Sequence, residues 1–178
     1  MNDAIGALLI IFGIIAAMQI FHDLFLSKPK TKYIMQKKIY VASSWRNQYQ
    51  QHVVECLRAN GYDVYDFKNP PNKSGFGWEQ ISPNWQAWTL QEYKKNLEHP
   101  LAISGYQSDF RAMTNADICV LVLPCGRSAH TEAGYMRGLA KPTFIIMRDM
   151  QEPELMYKLF DGIFSSAGEL IAHLNSYR

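Results

Sequence analysis

The run from Ile118 to Leu123 constrains the fold more than any other stretch of this chain. It is unbroken apolar sequence with β-branched residues at Ile118, Val120 and Val122. A strand with one wet face would alternate polar and apolar residues. A run without alternation suits a central strand covered on both faces, as in a parallel sheet. A turn containing Pro124 and Gly126 follows, and then a helical stretch from Ala129 to Ala140. The same order of strand, turn and helix recurs elsewhere. Lys38 to Ala42 predicts a strand, and Trp45 to Ala59 a helix with Val53, Val54 and Leu57 on its apolar face. Asn60-Gly61 ends that helix. Tyr62 to Phe67 and Thr143 to Met147 predict further strands. A short helix after Pro153, a short strand at Gly162 to Phe164 and a closing helix at Ala167 to Tyr177 complete the pattern. Alternation of this kind implies an α/β fold, a parallel sheet of about five strands joined by right-handed crossovers, with helices on both faces.

In such sheets ligands bind beyond the carboxyl ends of the strands. Three loops fall there: Ala42 to Arg46, Phe67 to Trp88, and Pro124 to Ser128. The middle one is long and rich in Pro, Gly and aromatic residues, with Phe76, Trp78, Trp85 and Trp88. Loops of this length are functional or disordered, and the aromatic content argues against disorder. It reads either as a wall stacking on a flat ligand, through Trp78 and Trp85, or as a wrapped loop burying its own tryptophans.

The N-terminus is of a different kind. Residues Ala4 to Phe21 are almost continuously apolar, and Leu24, Phe25 and Leu26 extend the run. Spanning the hydrocarbon core takes ~20 residues of helix. The start carries Asp3 and no Lys or Arg, unlike a cleaved signal peptide. Lys28, Lys30, Lys32, Lys37 and Lys38 follow the segment, which places the remainder in the cytoplasm by the positive-inside rule. The expected organisation is a transmembrane anchor over residues 1–27, contacting the membrane through 4–26, a linker over 28–36, and one domain over 37–178. A buried helix of the soluble domain is the alternative.

The chain has 178 residues, 48% hydrophobic and 19% charged, so the domain is large enough to bury a core. A formal net charge of +2 gives no footing for nucleic acid. Cys56, Cys119 and Cys125 are an odd number without metal spacing, which fits a reducing compartment.

Candidate chemistry gathers at the expected sheet mouth. Gly126, Arg127 and Ser128 open a helix, where backbone amides and a forked donor favour an anion. Glu132 lies one turn inside that helix. There the helix end would hold it as an anion and suit it to attack rather than to proton donation. A capping role with Ser128 or Ala129 as N-cap is the structural alternative. Asp109 sits on a helix with Phe110, Met113 and Ala116, either at a site or on a solvated face. Asp117 reads as a residue that orients backbone before its strand. Ser43, Ser44 and Arg46 follow the strand that carries Tyr40. They suit a phosphate, or else an N-cap and a surface cation. His130 has no second ligand at metal spacing. No Walker or Rossmann glycine pattern occurs.

These residues resemble the nucleoside 2-deoxyribosyltransferase-like superfamily, which includes deoxynucleoside monophosphate N-glycosidases. The resemblance runs from Lys38 to Asn175 and is strongest at Lys38 to Ala42, Asp109 to Asp117 and Leu123 to Gly138. It implies a flavodoxin-like sheet and cleavage of a base–sugar bond. Glu132 is similar in position to the family's nucleophile, Asp109 to the aspartate that protonates the leaving base, and Tyr40 to the tyrosine that holds the glutamate. Gly126 stands where the transferases carry an acidic residue, so the turn looks more like that of the nucleotide hydrolases. More distantly, the chain is similar to TIR-type NAD-cleaving domains. The resemblance implies an N-glycoside hydrolase or transferase acting on a nucleotide or nucleoside, and with the apolar N-terminus the expectation is a membrane-anchored enzyme, a homo-oligomer that needs no metal or organic cofactor. A TIR-like NAD hydrolase and a non-catalytic nucleotide sensor are the alternatives.

Overall fold

A computed structural model of the chain describes residues 36–71 and 75–176. The expected membrane segment and linker lie outside these residues. Among the described residues no helix is long and apolar enough to cross a membrane.

Five strands form one sheet: β1 (Lys38–Ala42), β2 (Asp63–Asp66), β3 (Ile118–Val122), β4 (Thr143–Ile146) and β5 (Gly162–Phe164). Their order is β2-β1-β3-β4-β5 and every pairing is parallel. This is the flavodoxin-like order, whose connections reverse direction between β1 and β3. β3 is buried at all five positions, which is why its sequence shows no alternation.

Among the described residues five helices accompany the sheet: α1 (Tyr49–Ala59), α2 (Leu90–Leu97), α3 (Pro100–Asn115), α4 (Arg127–Gly138) and α5 (Ala167–Asn175). They cover both faces. On one side Ile39, Val41, Val120 and Ile146 pack with Val53, Leu57 and Leu170 from α1 and α5. On the other, Tyr40, Leu121 and Ile145 pack with Met113, Ala133 and Met136 from α3 and α4. The strand period of two therefore sends Tyr40 to the α3–α4 face and its neighbours Ile39 and Val41 to the opposite face.

Several boundaries differ from the sequence expectation. α1 begins at Tyr49 rather than Trp45, because Asn47 is buried and turns the chain before the helix starts. Its amide nitrogen lies 3.1 Å from Ser43 Oγ, 3.2 Å from Val122 O and 3.2 Å from Pro124 O, and its Oδ1 accepts from the Tyr49 amide at 2.9 Å. Gly61 ends the α1 turn with φ of 83°, a conformation that glycine adopts without Cβ strain. α4 begins at Arg127, two residues earlier than expected, with Gly126 as N-cap. Residues after Pro153 make a 3-10 turn, Leu155–Leu159, in place of an α-helix. Asp117 accepts from the Lys38 amide at 2.8 Å and ties the start of β1 to the approach of β3.

α2 was not anticipated. Thr89 and Glu92 form a capping box at its start, a spacing that the sequence displays. Before it, Trp78–Gln80 and Trp85–Ala87 form 3-10 turns. Trp78 packs edge-on against Phe76, Trp88 and Tyr93. Phe76 rests on α3 at Gly105, where a Cβ would collide with the phenylalanine side chain. That close approach is what glycine permits there.

Candidate active site

The register of the sheet builds the site. Tyr40 on β1 and Tyr65 on β2 are Cα partners, so both side chains rise from the same face. Their rings stack with centroids 5.5 Å apart and planes 10° from parallel. Each phenol meets a carboxylate from a different helix. Tyr40 donates to Glu132 Oε2 of α4 at 3.1 Å. Tyr65 donates to Asp109 Oδ1 of α3 at 2.8 Å. Tyr40 is fully buried, and the other three are half-buried.

Burial dominates the electrostatics of this quartet. It raises the Glu132 pKa from 4.5 to about 7; the nearby Asp109 charge adds to the shift, and the Tyr40 hydrogen bond opposes it. Asp109 is also raised by burial, against the lowering effect of the Tyr65 bond. The phenol of Tyr40 is raised by burial and by the Glu132 charge, so it remains a donor. This corrects the sequence expectation for Glu132. The helix start does not hold it as a ready anion. It is the sixth residue of α4, counted from Arg127, and the helix-end effect fades within the first turn. The capping alternative falls as well, since the N-cap is Gly126.

Glu132 and Asp109 open onto a cavity of about 1050 Å³. Arg127, Ser128 and Thr131 line it from α4, and Tyr106, Phe110 and Tyr135 form an aromatic flank. Phe110 lies 5.5 Å from both Tyr106 and Tyr135, ring centroid to centroid. Trp78, Trp85 and Trp88 close the opposite side together with Tyr93. The aromatic segment thus lines the cavity and packs partly on itself, with Trp78, Trp85 and Trp88 half-buried and not enclosed as a self-burying loop would have them. The cavity combines a carboxylate pair, a forked cation at a helix start and flat apolar walls. That chemistry fits a ligand with an anionic group and a planar ring.

The sequence matches no family model and no curated protein. Solved structures do match. A 2-deoxyribosyltransferase from the psychrotolerant bacterium Bacillus psychrosaccharolyticus superposes with a TM-score of 0.52 at 19% identity, over 75% of this chain and 90% of that one. This chain shares the fold of a 2-deoxyribosyltransferase. A conserved protein from Enterococcus faecalis V583 superposes with a TM-score of 0.52 at 16% identity, over 80% of this chain and 99% of that one. A CMP N-glycosidase from Clostridium botulinum gives a TM-score of 0.44 at 12% identity, over 78% and 99%. At such identities the likeness to the transferase is one of fold.

Within that fold the other expected ligand residues separate from the cavity. Ser43 donates to Val122 O at 2.8 Å and joins the ends of β1 and β3. Ser44 Oγ accepts from the Arg46 amide at 3.2 Å. Neither these residues nor Arg46 line the cavity, and Gly126 contributes only the N-cap before Arg127. His130 reaches Tyr157 Oη at 2.9 Å and Gly126 O at 2.9 Å, pinning the 3-10 turn to α4. Cys125, beside it, is pushed up to about 12 by burial first and the Glu132 charge second, which leaves a thiol rather than a thiolate. Sequence reasoning missed Tyr65. Its only sequence signal is a tyrosine in the second predicted strand, and its role depends on the strand register.

Proposed function

We propose that the protein cleaves the base–sugar bond of a nucleotide, with Glu132 as nucleophile, from a membrane tether formed by its N-terminal segment. The observation that carries this reading is the meeting of Glu132 and Asp109, each held by its own tyrosine, in one aromatic-walled cavity. Breaking an N-glycosidic bond needs two things: a proton for the departing base, and an electron pair for the electron-poor anomeric carbon. Ionised Glu132 adds to that carbon as the bond to nitrogen breaks, forming a glycosyl ester. Asp109 delivers its proton to the base. Water, or a second base, then attacks the same carbon and frees Glu132. Tyr40 orients the nucleophile. Arg127, Ser128 and the amides at the start of α4 hold phosphate. The tryptophans flank the base.

This chemistry uses the carboxylate pair with one proton between its members. Such pairs titrate as a unit. Burial raises Glu132 to about 7, so the pair holds its last proton up to about that pH. Base release therefore falls as the pH rises above about 7, where the pair loses its last proton.

The electrostatics also favour a second assignment, in which the two carboxylates exchange roles. A carboxyl that burial raises toward neutrality is the usual acid, and Glu132, raised to about 7, is such a group. Each carboxylate accepts from one phenol, which favours its charged form, so the hydrogen bonds do not choose between the two; the resemblance in position is what assigns the attack to Glu132.

The full-length chain in detergent, incubated with nucleotides, nucleosides and NAD and resolved by chromatography, tests the activity. Free base is expected from a nucleotide, with none from Glu132→Ala. Absence of base release by the wild type rejects the activity. A 2-fluorinated sugar substrate, which slows breakdown of the ester, identifies the nucleophile by mass spectrometry. A label on Asp109 selects the exchanged assignment. The tether is tested by fractionation: recovery of the full-length chain in the soluble fraction without detergent rejects it.

A further inference from the structure

We propose that Tyr65 is a positioning residue for the reaction, fixing Asp109 beside Glu132 and keeping the two carboxylates from taking up their protons together. The proposal rests on the carboxylate-pair reading and goes beyond it, because that reading gives Tyr65 no part.

The geometry forms a directed chain. Tyr65 donates its single phenolic proton to Asp109 Oδ1 at 2.8 Å. Its oxygen lies 3.0 Å from Ser108 Oγ. With the Tyr65 proton committed to Asp109, Ser108 must be the donor in that second contact. The order is thus Ser108 to Tyr65 to Asp109, and each donor makes the next more effective. Tyr65 cannot swing freely, because its ring stacks on buried Tyr40 at 10° between planes. The strand register, Tyr40 opposite Tyr65, sets the spacing of the two phenols and hence of the carboxylates they hold.

Other ionisable groups surround Asp109. Tyr40 on β1 and Glu132 on α4 lie near enough to feel its charge, and Arg127, Tyr93 and Tyr106 line the same cavity. Tyr65 touches the carboxylate directly and favours its charged form, against burial. Glu132 has a different donor, Tyr40, and is itself raised to about 7 by burial and the Asp109 charge. Loss of the Tyr65 hydroxyl removes a contact that opposes the burial of Asp109 and favours its charged form. Asp109 would then take up a proton at higher pH, and the interval in which the pair carries one proton would narrow from its acid side.

The test is Tyr65→Phe in the full-length chain, which keeps the ring and removes the donor. Two readouts are taken. Carboxyl carbon NMR of labelled aspartate follows the Asp109 titration directly. The pH profile of base release follows the pair in action. An upward shift of the order of one pH unit in the Asp109 titration is expected, with the acid limb of base release moving the same way. Ser108→Ala, which leaves the phenol in place, should give a smaller shift of the same sign. An unmoved Asp109 titration in Tyr65→Phe overturns the proposal. So does a shifted titration with an unchanged pH profile. Failure of the underlying reading looks different: the wild type itself then releases no base, and the proposed part for Tyr65 falls with it.

Discussion

The Tyr40 hydroxyl donates to the Glu132 carboxylate at 3.1 Å, across a separation of 92 residues in sequence. The tyrosine is wholly buried in a central strand, and the glutamate comes from the helix that follows β3. The bond opposes the burial that raises Glu132. Tyr40→Phe should therefore raise the Glu132 pKa further, by about one unit. The basic limb of base release should move up with it. Turnover should fall about ten- to a hundredfold as the nucleophile loses its fixed orientation. A carboxyl titration and a pH–rate profile of the variant check both effects.

Glu132 also makes stability depend on pH. Its pKa in the folded protein is about 7, against an ordinary 4.5. Between these values the folded state binds more protons than the unfolded one, so stability falls as the pH rises. The contribution is fully present below about pH 4.5 and is lost as the pH passes through about 7. The raised Asp109 acts in the same direction. The full difference is no more than about 3 kcal/mol, and less where solvent screens the half-buried carboxylate. Glu132→Gln should flatten the slope and be the more stable protein at pH 8. Urea midpoints at pH 5 and pH 8 for both proteins measure it; parallel curves would refute the assignment.

On the proposed reading, Arg127 separates phosphate binding from base binding. Its forked donors at the start of α4 have nothing to grip on a nucleoside. Arg127→Ala should weaken a nucleotide about ten- to a hundredfold, the equivalent of ~1.5–3 kcal/mol, and leave the matching nucleoside nearly unaffected. Titration calorimetry with the two ligands on the two proteins makes the comparison. Equal losses on both would make Arg127 structural.

Asn47 holds the mouth of the sheet without touching the cavity. Its buried amide bridges Ser43, Val122 and Pro124 and orients the Tyr49 amide. Asn47→Ala removes the side-chain donor to Pro124 O, leaves Val122 O with Ser43 alone, and should cost ~1–3 kcal/mol. Asn47→Asp keeps the oxygen and loses the donor, and should be comparably destabilised. Thermal unfolding of the two variants reads the loss.

Much of the fold was legible because its signals are local. The unbroken apolar run at Ile118 to Leu123, the Asn60-Gly61 stop and the apolar face of Val53, Val54 and Leu57 depend on residues within a few positions of each other. The capping box at Thr89 and Glu92 was equally local and marks α2. The start of α1 was not legible. Asn47 turns the chain by bonding to the end of β3, some 75 residues away.

The sequence by itself determined the alternation of strands and helices, and the residue types that can carry proton transfer and anion binding. It placed Tyr40, Asp109 and Glu132 in elements that a parallel sheet could bring together. The tertiary structure decided the rest. Strand register set Tyr40 against Tyr65, and with it a partner for Asp109 that spacing along the chain does not reveal. Packing at the sheet mouth turned Ser43 toward Val122 O, whereas the aromatic segment came to line the cavity. Burial overruled the helix end at Glu132 and raised its pKa to about 7. The physical reason is one of range. Backbone propensity acts over a few residues and can be read along the chain, whereas desolvation and hydrogen bonding depend on what lies nearby in space, which exists only once the sheet has formed.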